Sequence, residues 1–408
     1  MQPFYALYIG STKIVGIRGT VEKEKNAVVD TIAKVAAIGF DKGIIVDIEK
    51  ACSYVREVLL KLVDEKEMNR IGLHVILSSN LVSLFSCSSS IYFGDMSRTI
   101  TQLDIDRVIA QTRATATIPL NEQILLAEPE EFMINDLAGI RTPRDLEARR
   151  LAVTLSLFTA QADTIRNIQK VFDRLEISVQ AYYPRVVTAA ASVLRPEEER
   201  DGIVLIDIAG HATSISCYNN HVLDFYEVIP FGGECISLYL AQNLNISLLE
   251  ARRLKEQYGS AALLERFEDE IIPVIDVFGK TRFNINKKRL YDQIHIAAKE
   301  LVDKIYLIVR EKRKQHMQLC GAVVTGGGAR LEGLLDLLEK ALGIPVRLGS
   351  ARAVSGHAEA LSNAAYAPQL GLLSYLIEQG KKREEQYHGK NTITRKYMKV
   401  KAWIQENF

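Results

Sequence analysis

At 408 residues the chain is longer than one ordinary hydrophobic core serves, so two or more domains are expected. It is 48% hydrophobic and 25% charged with a formal charge of +1, a normal globular composition with no global reason to bind nucleic acid. Scattered cysteines with no CxxC, scattered histidines, no signal-like N-terminus and no apolar run near the roughly 20 residues of a membrane-spanning helix point to a soluble, intracellular protein without a disulfide framework or structural zinc.

The first 46 residues read as strands, "FYALYIG", "KIVGIRGTV" and "AVVDTIAKVAAIGF". A helix is predicted from about Asp47 to about Lys66, with Asp47 as N-cap, and "IGLHVILSS" is another strand. These make a first unit over 1–81. Residues 82–160 change texture: short alternating strands surround one helix that begins near Thr101 or Asp104, as in a small inserted α+β unit. Over 161–200 a helix, the strand "ISVQAYYP" and the helix "RVVTAAASVL" return to the first unit, and "RPEEERDG" marks a charged boundary.

A second unit, 201–355, opens "IVLIDIAGHATSISCYNNHVLDFYEVIPFGG": strand, glycine turn, strand, tight turn at Asn219–Asn220, strand. A helical part follows over about 234–310, then strand "GAVVTGGG", helix "RLEGLLDLLEKAL" and strand "IPVRLG". Residues 356–380 return to the first unit in a late helix, and 381–390 ("KKREEQYHGK") read as a solvated linker. The last stretch, 391–408, is an amphipathic helix. Ile393, Tyr397, Val400, Trp403, Ile404 and Phe408 fall on one arc, flanked by Arg395, Lys396 and Lys399, with Lys401 beside them. A basic helix with aromatic anchors suits a surface of anionic lipid, the alternative being docking on protein.

"LYIGSTKIVGI" and "LIDIAGHATSI" echo one another, one in each half, and a third glycine turn, "TGGG", joins a strand to a helix. Backbone N–H groups in such turns point at phosphate oxygens. Each is ambiguous alone. Gly10-Ser11-Thr12-Lys13 can be a plain turn, Asp207 can cap its own turn, and the glycines at 326–328 can serve tight strand–helix packing. Three glycines before a helix start would also place a positive helix end at that spot.

Together and in this order, these motifs resemble the actin-like ATPase superfamily, and more closely the FtsA family of bacterial cell-division proteins. The resemblance rests on "ALYIGSTK", "GFDKGIIVDIE" (39–49), the insert stretches 100–136 and 139–159, "GIVLIDIAGHATS", "IPFGGE" (229–234), "LKEQYG" (254–259) and "GAVVTGGGARLEGL". It implies a two-domain α/β fold of actin-like (ribonuclease H-like) type, an SHS2-like insert in the first domain, and a C-terminal amphipathic helix. It also implies an ATP site made by Gly10, Ser11, Thr12, Lys13, Asp207, Gly210, Gly232, Gly233, Lys255, Gly326, Gly327, Gly328 and Arg330, with Asp207 the remaining metal candidate.

The departures bear on the chemistry. Tyr8 stands where the family has an Asp. Ala209, Gly210, His211 and Ala212 replace three glycines and a threonine, and Ser214 replaces a later Asp. Arg252 takes the place of a ribose-contacting Glu, with Glu250 a potential substitute. Magnesium handling and hydrolysis are therefore expected to be weakened, no catalytic residue is assigned, and His211 and Arg252 are candidates to neutralise phosphate without a metal. As partners the resemblance implies the tubulin-like division protein FtsZ through its C-terminal peptide, near "GKTRFNINKKR" (279–289). It further implies other copies of the chain in filaments, other division proteins and anionic lipid at the cytoplasmic face of the membrane at the division site. A pilus-assembly scaffold and a small-molecule kinase on the same fold are the rival readings.

Overall fold

The computed structural model describes residues 3–21, 27–262, 270–276, 278, 282–314, 318–352, 354–357 and 361–387. In chain order, β1 (Pro3–Ile9), β2 (Lys13–Val21) and β3 (Ala27–Ala36) form an antiparallel meander, α1 (Ile48–Leu60) follows, and β4 (Gly72–Leu77) pairs parallel to β1. Asp47 caps α1 as expected, its carboxylate accepting from Lys50 N at 3.1 Å. The helix stops at Leu60, short of Lys66. Leu62 and Val63 stay buried beyond the helix end, and the chain then makes a 3₁₀ turn over Glu65–Arg70.

The insert comprises β5 (Ser83–Tyr92), α2 (Gln102–Thr115), β6 (Glu122–Ile134), β7 (Leu137–Ile140) and β8 (Arg150–Gln161), in sheet order β7-β6-β8-β5. Alternate residues Leu151, Val153, Leu155 and Leu157 of β8 face α2, whose Ile105 and Val108 complete a separate core. The start of α2 is set by Asp104, which accepts from Thr101 N (2.9 Å) and Thr101 Oγ1 (2.7 Å).

Then come α3 (Ala162–Arg174), β9 (Ser178–Pro184), α4 (Arg185–Val193) and α5 (Pro196–Asp201). The stretch read as a charged boundary is thus itself a helical turn, begun by Pro196 and capped by Glu198 accepting from Arg195 N. The second lobe holds β10 (Ile203–Ile208), β11 (Thr213–Asn219), β12 (Val222–Ile229), α6 (Gly233–Leu244), α7 (Leu248–Tyr258), the hairpin β13 (Ile271–Ile275) and β14 (Arg282–Asn286), α8 (Lys287–Lys314), β15 (Gly321–Thr325), α9 (Leu334–Leu342) and β16 (Val346–Leu348). The tight turn lies one residue later than expected: Asn219 still pairs with Val222, and Asn220 and His221 take the positive φ values of 48° and 61° that a two-residue hairpin demands.

The two main sheets repeat one plan. The first runs β9-β4-β1-β2-β3, extended by β17 (Val354–Gly356), and the second runs β16-β15-β10-β11-β12. In each, a three-strand meander continues into two parallel strands. Helix α10 (Ala367–Tyr387) returns to the first lobe and packs along α4. The two backbones come so close that a Cβ on Gly371 would sit 1.8 Å from Thr188 O. Nearly all of α4 is buried, its Ala189, Ala190 and Val193 sharing a core with Ile203, Leu205 and Val323 of the second lobe. Helix α10 runs through Tyr387, so most of 381–390 is helix rather than linker. Residues 391–408, with the whole predicted lipid-binding face, lie outside the described residues. Among the described residues, no helix is long and apolar enough to cross a membrane.

Candidate functional site

The two glycine hairpins meet between the lobes with matching registers. Ile9 pairs with Ile14 and Ile208 with Thr213, and each four-residue turn closes with one N–H···O bond, Gly10 N to Lys13 O and Ala209 N to Ala212 O, both 3.0 Å. Tyr8 and Asp207 are therefore equivalent positions, as are their partners Val15 and Ser214.

The turns touch: a Cβ on Gly210 would lie 3.0 Å from both Ser11 Oγ and Thr12 Cγ2. Gly232 lies against the second turn, where a Cβ would meet Ala209 O at 2.5 Å. The first N–H groups of α6, from Gly233 and Glu234, donate to Ala209 O (2.9 Å) and Gly210 O (2.7 Å). That positive helix end is consequently spent on the hairpin's own carbonyls. Gly233 in turn faces Gly328, 3.4 Å from its Cβ position, and Lys255. The structure thus brings Gly10, Ser11, Thr12, Lys13, Gly210, Gly232, Gly233, Lys255, Gly326 and Gly328 into one cluster.

The third glycine turn differs from expectation. Helix α9 starts only at Leu334, because Gly328–Arg330 is a separate 3₁₀ turn and Gly333 turns the chain at φ +73°. No α-helix N-terminus points into the cleft from this loop. Gly326, at φ +87°, presses on Asp207: a Cβ there would be 2.4 Å from Oδ1. Gly327 faces open space, with nothing within 4 Å of its Cβ position among the described residues, and Arg330 is exposed.

Asp207 is already neutralised. Arg185, the first residue of α4, donates from Nε to Oδ2 (2.5 Å) and from Nη2 to Oδ1 (2.8 Å), and the two side chains are 3% and 1% exposed. The guanidinium also lies 4.6 Å from the centre of the Tyr8 ring. Burial alone would push its pKa down, but the Asp207 carboxylate and Tyr8 outweigh that and hold it above the ordinary value. Arg185 is the functional residue that motif reading missed. Its signal was an arginine opening an otherwise small and apolar helix, "RVVTAAASV".

Around the opening, Arg252 Nε donates to Glu234 Oε1 at 2.6 Å, so the arginine at the ribose-Glu position is tied to α6. Glu250 does not substitute. It is buried, accepts from Arg253 at 2.8 and 2.6 Å and from Ile275 N at 3.3 Å, and so is held away from the cleft. Lys255 Nζ donates to Gly233 O (2.5 Å) and Ser237 Oγ (2.7 Å). Burial pushes its ammonium down, opposed by Glu234 and Glu256 and reinforced by Arg252 and Lys13. His211 is half-buried, its pKa lowered chiefly by burial, and its Nδ1 finds no hydrogen-bond partner among the described residues.

These residues do not fit a divalent metal ion. The one carboxylate of the paired turns is engaged on both oxygens, Glu234 is tied to Arg252, and Tyr8, Val15 and Ser214 offer no further acid. An anionic ligand fits better: Lys13, Lys255 and the open face of Gly327 are groups a phosphate could meet.

A sequence model for "Cell division protein FtsA" matches residues 204–371, and one for "SHS2 domain inserted in FTSA" matches 81–159, one residue from the insert boundaries read above. The cell division protein FtsA of Pseudomonas aeruginosa is 25% identical over 98% of this chain and 97% of its own length, and that of Escherichia coli K12 is 24% identical with the same coverage. Among solved structures, the PilM-PilN type IV pilus biogenesis complex aligns with a TM-score of 0.65 at 16% identity, covering 92% of this chain and 98% of that one. MreB5 of Spiroplasma citri bound to AMPPNP gives 0.54 at 13% identity over 95% and 98%, and the MamK double helical filament gives 0.50 at 11% over 92% and 98%. These structural likenesses establish the actin-like two-domain fold. With both sequence models in place and FtsA relatives aligned end to end, the chain belongs to the FtsA family of cell-division proteins.

Proposed function

We propose that the protein is a division-site adaptor: a peripheral scaffold at the cytoplasmic face of the membrane that recruits FtsZ by its C-terminal peptide, binds lipid through 391–408 and assembles with copies of itself. The observation that carries this reading is the contrast inside the chain. The insert that distinguishes FtsA from other actin-like proteins has its own intact core, whereas among the described residues the one acid of the two paired turns, Asp207, has both oxygens taken by Arg185. A scaffold needs the first and tolerates the second.

Self-association is supported by the MamK neighbour, whose structure is a filament. Lipid binding is supported by the one-sided pattern of Ile393, Tyr397, Val400, Trp403, Ile404 and Phe408 beside Arg395, Lys396, Lys399 and Lys401. ATP is the proposed ligand of the cleft, bound without magnesium and without efficient turnover; the MreB5 neighbour is bound to AMPPNP. FtsZ contact is assigned to the β13–β14 hairpin and the start of α8, where Lys287, Lys288 and Arg289 suit an acidic and apolar peptide.

The test uses the chain's only tryptophan. Trp403 emission should shift to the blue on adding vesicles rich in anionic lipid and stay unchanged with neutral ones. A chain ending at residue 390 should lose membrane localisation, and either failure removes the tether. A kinase is disfavoured because Asp207, the acid of the paired turns, is held on both oxygens by Arg185, and the pilus likeness is one of fold alone.

A further inference from the structure

We infer that Arg185 is a resident cation joining the two lobes where a divalent ion would otherwise sit, so that closure of the cleft requires neither metal nor nucleotide. The inference stands on the geometry of Tyr8, Arg185 and Asp207 and is independent of the lipid and FtsZ assignments.

Arg185 follows β9 and belongs to the first lobe, as does Tyr8; Asp207 is the last residue but one of the central strand of the second. The bidentate pair therefore crosses between lobes, with the Tyr8 ring against the guanidinium and the Gly326 backbone against Oδ1. Neutral bonds complete the wall: Tyr226 Oη donates to Ser79 O (3.0 Å), and Ser79 Oγ donates to Ser214 Oγ (3.4 Å), again from one lobe to the other. The buried charges of this trio already sum to zero. A divalent cation entering here would face one carboxylate and one guanidinium, leaving a net positive charge out of water. It could bind only by expelling Arg185 from a position in which it is almost wholly enclosed.

The experiment is thermal unfolding of the full-length protein in EDTA, in magnesium chloride, in ATP with EDTA and in magnesium ATP. The melting temperature in ATP should agree within about 1 °C with and without magnesium. An ATP-induced rise of about 3 °C or more that disappears in EDTA would overturn the inference. A second arm uses the double variant Tyr8→Asp/Arg185→Ala, which removes the cation and adds an acid at the equivalent position. It should melt lower in EDTA and recover several degrees in magnesium alone, whereas a folded double variant indifferent to magnesium also overturns the inference. If the double variant does not fold, the intact chain decides alone: its melting temperature in EDTA and in magnesium chloride without ATP should agree within about 1 °C, and a rise of about 3 °C or more in magnesium chloride overturns the inference. Absence of any ATP effect on the intact chain sinks the nucleotide proposal and not this one, which the metal response of the double variant then decides.

Discussion

The hairpins β1–β2 and β10–β11 have the same register, the same four-residue turn and the same closing hydrogen bond, yet their matched positions carry opposite chemistry. Tyr8 offers an aromatic face, and Asp207 a charge. In a symmetric acidic site both would repel each other and call for a metal. Here one acid has become a ring, and a single arginine satisfies both, by an ion pair on one side and a cation–π contact on the other. The difference teaches that two hairpins with one backbone plan can face each other across the lobes with unlike side chains, a ring and a carboxylate, provided one cation contacts both.

The comparison breaks most severely at its bridge. Arg185→Met should cost about 3–5 kcal/mol in urea unfolding, because Asp207 is left buried and unpaired; Arg185→Met/Asp207→Leu should recover most of it. Equal losses in the single and double variants would show that the pair is not coupled. Next, Gly326→Ala should lose about 1–3 kcal/mol, from positive φ and from the contact with Oδ1. Gly343→Ala supplies a control with positive φ and no neighbour within 4 Å, so the excess measures how tightly the loop packs on Asp207 Oδ1 and the Ile208 carbonyl together. Tyr8→Leu should cost about 0.5–2 kcal/mol, and the cost should disappear once Arg185 is methionine.

The smallest effect lies outside the cleft. Hydrogen bonding by Arg98, with help from Thr101, holds the Asp104 carboxyl down to about 2. Its contribution to the insert is therefore present above the unfolded value near about 4 and fades as pH falls toward about 2. Asp104→Asn should lower insert stability at pH 7, with the gap to the parent closing over that acid range, as read by circular dichroism; a gap unchanged down to pH about 2 would refute it.

The paired hairpins, the insert and the late helix were legible because each is written in local pattern: apolar strands broken by glycine, alternation along β8, a threonine–aspartate start for α2. Glycines also misled. Those at 326–328 look like a phosphate cradle before a helix, but Gly326 is needed to clear Asp207 and Gly328 to clear Ile208, and α9 begins six residues after the last of them. Arg185 was illegible as a partner of Asp207 because nothing local reveals that α4 is wedged between lobes. Glu250 looked available from its spacing, and only the fold shows Arg253 and the Ile275 amide claiming it.

Helix α10 has a mechanical consequence. At about 1.5 Å per residue its 21 residues make a stiff strut of about 31 Å. Its base is clenched against α4 at Gly371 and Thr188, beside the residue that bridges the lobes. A displacement of the helix base would therefore be passed to α4 directly, because the two backbones leave no room between them at Gly371 and Thr188.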